Sequence, residues 1–403
     1  MRSCGLVALC LLVVTAPARA DDWPQFRGPD GQGHAGQRGL PLEWSEGQNI
    51  VWKAPVPGLG WSSPTILGRQ IWLTTALDEG RSLHVVCMDR ETGEVQHDVE
   101  AFQIADPGKI HSKNSHASPS PILEGDRVYV HFGDNGTACL STDGKVLWRN
   151  QELIYAHGHG PGGSPVLYKD LLIVSCDGTD RQFVAALDKH SGKLRWQTKR
   201  EGRMAYSTPL VIHAAGRDQV ISTGGDAVVS YNPADGEEIW RVRYDGYSEV
   251  PRPVYGQGLV FICSGYNTPL LYAIRPDGEG DVTDTHVAWK TTKAAPLNPS
   301  PLLIGEELYF VSDRGVAVCA DAKTGEQHWQ KRLPGNYSAS PLAADGRIYF
   351  TNETGETTVI APGKEFKSLA SNLVDGRTLA SLAVSGKAIY LRTDTHLYRI
   401  EER

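Results

Sequence analysis

A short phrase recurs along this chain and constrains its fold more than any other feature. It consists of a small residue and a proline, an apolar run, a second such run, and a tryptophan about 30 residues on. The clearest copy runs from Gly163-Ser164-Pro165-Val166-Leu167 to Lys193-Leu194-Arg195-Trp196. Other copies open at Ser63-Pro64, Ser120-Pro121, Thr208-Pro209, Arg252-Pro253, Ser300-Pro301 and Ser340-Pro341, so the marker prolines stand 57, 44, 44, 44, 48 and 40 residues apart. Such a period marks a repeat architecture, in which no unit can bury its apolar face alone.

Within each period the runs read as strands. Repeat three has Asp170 to Cys176, Phe183 to Leu187, a turn at Ser191-Gly192, and Trp196. Repeats two, four and six follow suit, ending at Trp148, Trp240 and Trp329. Repeat one carries His97 at the tryptophan position. Repeat five carries an acidic insertion near Asp277 to Asp284 before Trp289, and repeat seven has a degenerate last strand around Phe366. Repeat eight opens at Leu379-Ala380-Ser381-Leu382, supplies two strands, and ends without a tryptophan strand. Ile50-Val51-Trp52-Lys53-Ala54 looks like that missing strand and stands before the first repeat. The chain therefore predicts an all-β fold: an eight-bladed β-propeller of four-stranded antiparallel blades, residues 50–403, closed by an N-terminal strand that completes the last blade and removes the exposed edges. Proline cannot donate to a ladder, so it belongs at a strand's first residue. Small residues before it suit a crowded innermost strand. The tryptophans are assigned to packing at the seams between blades.

Residues 21–49 read as an extended arm whose aromatics, in Trp23-Pro24-Gln25-Phe26-Arg27-Gly28-Pro29, plug against the body. Residues 1–20 read as a secretory signal peptide: Arg2, an apolar run from Gly5 to Val14, and Ala18-Arg19-Ala20 with cleavage after Ala20. The run is too short to span a bilayer, and Leu9 before Cys10 suits lipoprotein processing poorly. The mature chain is thus expected to be exported, periplasmic or secreted, with no membrane span. Losing Arg2 and Arg19 leaves 38 of the 40 basic residues against 47 acidic ones. No basic block with interleaved aromatics occurs, which argues against nucleic acid. Beyond residue 20 the cysteines are Cys87, Cys139, Cys176, Cys263 and Cys319, all in apolar runs and none in C-x-x-C. They read as buried thiols, although one disulfide stays open in an exported protein.

The repeats resemble the PQQ-type propeller repeat, A-x-D-x-x-T-G-x-x-x-W. Ala186-Leu187-Asp188 with Ser191-Gly192 and Trp196 matches it, as do Asp321, Thr324-Gly325 and Trp329, and more loosely Asn232, Asp235-Gly236 and Trp240. With the Trp23 to Pro29 segment, the chain is similar to exported PQQ-binding-like β-propeller repeat proteins, related in fold to BamB-type assembly factors and quinoprotein alcohol dehydrogenases. What the resemblance implies is the fold. The dehydrogenases add adjacent cysteines and a calcium-binding set with a catalytic aspartate; this sequence has no Cys-Cys pair, and no calcium triad can be assigned. Fold alone does not carry the activity.

Segments entering the innermost strands gather round one mouth of the channel. Those carrying distinctive side chains define a candidate ligand-binding funnel rim: Trp61, His111, His116, His157, His159, Tyr206, Tyr247, Asn298 and Tyr337. His116, His157 and His159 with Asp134 are candidate metal ligands; the competing reading gives these histidines to shaping glycine-rich loops. Asp134, Asp177 and similar Asp-Gly positions read as turn residues. Nucleophile elbows, P-loops and H-E-x-x-H are absent. Three functions remain in view, of which outer-membrane assembly by strand addition, as in BamB-type factors, is weakened by the poor lipoprotein site at Cys10. Two others stand beside it. One is a non-catalytic interaction scaffold or ligand-binding module, a monomer without cofactor, partnered by an envelope or secreted protein or by a small ligand at the funnel. The alternative is a PQQ- or metal-dependent oxidoreductase, with calcium, using the histidine-rich funnel.

Overall fold

Eight antiparallel sheets form an eight-bladed β-propeller in the computed structural model, which describes residues 22–403. The proposed signal peptide lies outside the described residues. Blade three is typical: Val166–Tyr168, Leu171–Asp177, Gln182–Asp188 and Leu194–Arg200 run from the axis outward, each paired to the next. The orphan strand Ile50–Pro55 pairs antiparallel with His396–Ile400 and is the outer strand of blade eight. A register shift between Ile50 and Trp52 matches the shifts at Trp148, Trp196, Trp240, Trp289 and Trp329, so the closing strand reproduces the bulge of the others. No helix among the described residues is long and apolar enough to cross a membrane.

The expected four strands per blade hold in six sheets, and two sheets gain a fifth. In blade four, Gly280–Asp281 from the acidic insertion runs parallel to Glu238–Arg243, with Asp281 bonded to Arg243 Nε at 2.8 Å. The insertion therefore covers an outer edge of blade four. In blade seven, His34–Ala35 of the arm pairs parallel with Leu342–Ala344.

The blades are joined by two interactions that the repeat encodes. Around the axis, the N–H of each residue preceding a marker proline donates to the hydroxyl of the equivalent residue in the next blade. Ser63 donates to Ser120 at 2.8 Å, Ser120 to Ser164 at 2.9 Å, and Ser164 to Thr208 at 2.9 Å. Arg252 then donates to Ser300 at 2.9 Å, Ser300 to Ser340 at 3.0 Å, Ser340 to Ser381 at 2.9 Å, and Ser381 back to Ser63 at 3.0 Å. The circle breaks only at blade five, where Arg252 has no hydroxyl. At the rim, each indole reaches the turn of the following blade: Trp148 Nε1 donates to Lys189 O at 3.0 Å, Trp196 to Pro233 O at 3.1 Å, and Trp52 to Arg90 O at 3.2 Å. The turn glycine there leaves room for the ring. A Cβ on Gly192 (φ +72°) would stand 2.5 Å from Trp148 Cε3, and one on Gly236 would stand 2.4 Å from Trp196 Cε3. Trp240 is the exception, bonded within its own blade to Gln219 Oε1 at 2.8 Å. Apolar clusters fill the same seams, such as Val85, Val130 and Leu140 between blades one and two.

The arm crosses the mouth opposite the strand entries. Trp23 bridges Ile66, and Pro24 O accepts from Leu123 N at 2.8 Å. Arg27 Nη2 reaches Pro301 O at 2.6 Å, and Trp44 N donates to Asn372 Oδ1 at 2.8 Å. Trp23 and Trp44 are buried and Phe26 half-buried against the body. All five described cysteines are buried and unpaired. Burial pushes Cys87 up to about 12 and Cys139 and Cys319 to about 11, so they are poor nucleophiles.

Two outcomes follow for stability. Gly192→Ala forces a side chain into the left-handed region and against Trp148, so urea unfolding should show a loss of about 1–3 kcal/mol from backbone strain alone. Combining it with Trp148→Ala should give less than the sum of the two single losses, because both disrupt one contact. A chain starting at Val56 leaves His396–Ile400 as an open edge and should lose its single cooperative thermal transition, seen by circular dichroism.

Candidate functional site: a cup on the propeller axis

Eight strand entries and the loops between the middle strands enclose a cavity of about 560 Å³ on the axis. Its floor is the hydroxyl circle described above, all seven members of which line it, and Phe26 of the arm closes it from beneath. The channel is thus a cup, open at one mouth only.

Its wall has two halves. Blades two to five supply rings: His111 and His159 have centroids 5.6 Å apart, His159 and Tyr206 6.0 Å, and Tyr247 and Tyr266 5.8 Å. Tyr206 is fixed by donating to His157 O at 2.9 Å, while Tyr266 is 56% exposed at the mouth. Blades six to eight supply amides and charges. Asp313 accepts from Leu297 N at 2.7 Å and from the Asn298 side-chain amide, and Arg314 beside it is exposed with no ion-pair partner among the described residues. Lys113 pairs with Glu353 at 2.7 Å, and Glu353 also accepts from Ser338 Oγ at 2.7 Å. The Arg377 guanidinium lies over Trp61, 5.5 Å from the ring centroid.

Of the nine rim candidates, Trp61, His111, His159, Tyr206, Tyr247 and Asn298 line this cup. His116, His157 and Tyr337 do not: all three are buried outside the cavity lining. The reason is local. A tight turn at Gly158 (φ +67°), with His159 N bonded to His157 O at 2.7 Å, sends the two imidazoles apart. His157 is held by the Asp134 carboxylate, whereas His159 faces the cup. His116 packs on Gly80, where a Cβ would meet its Cδ2 at 2.1 Å, and burial lowers its pKa. Tyr337 packs with Tyr309 and Ile348 between blades six and seven. His116, His157 and His159, the candidate metal ligands with Asp134, therefore do not share a site, and no group of three His, Cys, Asp or Glu residues among the described ones could hold a metal. Asp177 is no turn residue; it ends a strand, buried, with Arg200 Nε at 2.8 Å.

The calcium–quinone set of the dehydrogenases does not fit these residues. Among the described residues the only carboxylate lining the cup, Asp313, is committed to Leu297 and Asn298, and none of the described cysteines lines the cavity. Beyond the expected rim stand the floor itself and Tyr266, and Phe26, expected to plug against the body, does so at the base of the cavity. The serine in each Ser-Pro pair was the available signal, read only as a small residue.

Behind Tyr247 lies Glu249, fully buried, with neither carboxyl oxygen hydrogen-bonded. Burial holds its pKa well above the ordinary 4.5. The folded state therefore binds a proton that the unfolded chain releases, and stability contributed by this group falls as pH rises above that ordinary value. Glu249→Gln should melt higher than wild type at pH 8 and lose the advantage near pH 4, with a flatter dependence between, measured by thermal scans across pH.

These features define an eight-bladed propeller of PQQ-type repeats with an axial cup. A family model described as "Outer membrane protein assembly factor BamB" matches residues 42–152, 180–279 and 281–393, and the chain belongs to that family. Curated relatives are more distant. "Outer membrane protein assembly factor BamB" of Nitrosomonas eutropha is 23% identical over 52% of this chain and 50% of its own length. The protein of that name from Vibrio cholerae is 28% identical over 33% of this chain and 36% of its own length. The chain thus spans half or less of the curated relatives it matches. Among solved structures, BamB from Moraxella catarrhalis superposes with a TM-score of 0.63 at 13% identity, covering 87% of this chain and 99% of that one. Quinohemoprotein alcohol dehydrogenase from Comamonas testosteroni gives 0.70 at 11% identity, covering 96% and 82%. At such identities these likenesses show the fold alone.

Proposed function

We propose that this chain is an exported, non-catalytic propeller that recognises an envelope or secreted protein, or a small ligand held in the cup, acting as a monomer without a cofactor. The observation that carries this reading is the cup: sealed below by Phe26, open above, and walled by rings, amides and hydroxyls. The acid lining it, Asp313, is tied to Asn298, and Glu353 outside the lining is tied to Lys113 and Ser338. Among the described residues no hydroxyl lining the cavity is hydrogen-bonded to a histidine there, the pairing that covalent catalysis uses. Relatives named for outer membrane protein assembly favour a protein partner in the envelope. The acidic balance of the chain disfavours nucleic acid.

A photo-crosslinker at Tyr266, at the mouth of the cup, should capture one defined envelope or secreted component from intact cells. The same crosslinker at Leu194, on an outer strand, should not. Equal labelling from both positions would sink the reading. Purified protein supplied with PQQ and calcium should show no quinone absorbance and no dye-linked alcohol oxidation; a stoichiometric quinone would replace this reading with the oxidoreductase one.

A further inference from the structure

The floor of the cup has an unspent hydrogen-bonding capacity. Each of the seven ring hydroxyls accepts the N–H of a neighbouring blade, and none donates to a protein acceptor among the described residues. A hydroxyl that already accepts still carries a proton, and the open side of each is the cavity it lines. Donors converging from seven directions on one axis call for an acceptor-rich group.

The charge behind the floor indicates its sign. Arg252 occupies the blade-five place in the circle and sends its guanidinium to Pro209 O at 3.2 Å and to Phe26 O at 2.8 Å. Arg27, next to Phe26, is fully buried, with Nε and Nη1 lacking any partner. Neither has a carboxylate within ion-pair distance, since Asp30 is taken by His34 at 2.7 Å. Burial lowers Arg27 to about 9 and Arg252 to about 10, so both stay charged at neutral pH. A third cation without an ion-pair partner, Arg314, stands on the wall. In a chain of formal net charge −7 this positive locus is a local construction.

The wall indicates the body of the ligand. Its rings are inclined to each other, 63° for His111 against His159, 34° for His159 against Tyr206 and 70° for Tyr247 against Tyr266, making a bowl. Facing them are Asn298 and Asn336. One side thus suits C–H surface and the other suits hydroxyls.

We propose that the cup binds an acidic saccharide, with its anionic group on the hydroxyl circle and its pyranose face on the aromatic wall. The cavity is of a size that small-molecule sites have, about 300–1,000 Å³. The inference rests on the reading of the cup as a recognition site and names what it takes.

Isothermal titration of the mature protein at low salt tests it, using glucuronate and an oligogalacturonate, with glucose, AMP and sodium sulfate as comparisons. The acidic sugars should bind one to one, more tightly than glucose, and weaken as salt rises. Arg314→Gln should lower their affinity about tenfold, the scale of one charge-assisted hydrogen bond, at unchanged melting temperature and with little effect on glucose. Tyr206→Ala should weaken acidic and neutral sugars alike. No heat with either acidic sugar, tighter binding of AMP, or sulfate binding as well as the sugars would each overturn the proposal. Retained crosslinking at Tyr266 in that event would show that only the ligand class was wrong, and the scaffold reading would stand.

Discussion

The amide just before each marker proline sets the terms for the rest of the molecule. It lies at the crowded axis, where an unpaired N–H carries the full desolvation penalty, and the proline after it contributes no donor of its own. The neighbouring blade supplies the acceptor, so a blade is satisfied only when the next one is in place. Seven of eight positions use a serine or threonine as acceptor. The eighth, Arg252, instead sends its guanidinium behind the floor to Pro209 O and to the arm at Phe26 O. The floor of the cup and the plug beneath it are consequences of that one requirement.

The same logic governs the rim. Glycine and tryptophan stand four residues apart in the repeat motif, yet they do not meet each other. The glycine of one blade receives the tryptophan of the blade before, as Gly192 receives Trp148 and Gly236 receives Trp196. A motif read as the signature of one unit is therefore half of two contacts. This is why His97 can stand in for tryptophan in blade one, with its ring against Gly144, without disturbing the array.

Much of this architecture was legible beforehand. The spacing of the prolines, the register of the turns, and an extra strand at Ile50 lead to eight blades and a strand closure, and the structure has both. The site was legible in part. Proximity to a strand entry was enough to place Trp61, Tyr206 and Tyr247 in the cup. It failed for His116, His157 and Tyr337, because along an irregular loop the direction of a side chain is set by each backbone turn and by whatever packs behind it. The turn at Gly158 and the glycine at position 80 decide the directions of His157 and His116, and neither has a periodic signal.

The hydroxyl circle belongs to an intermediate class, since its residues were visible and its bonds were not. Sequence by itself determined the unit, the number of units and how the ring closes, because period, proline position and strand alternation are local properties of the chain. Only the tertiary structure decided that the channel is a cup. The arm's partners are carbonyls and amides on blades far apart in the chain, such as Leu123, Pro301 and Asn372, brought within reach only once the ring has closed.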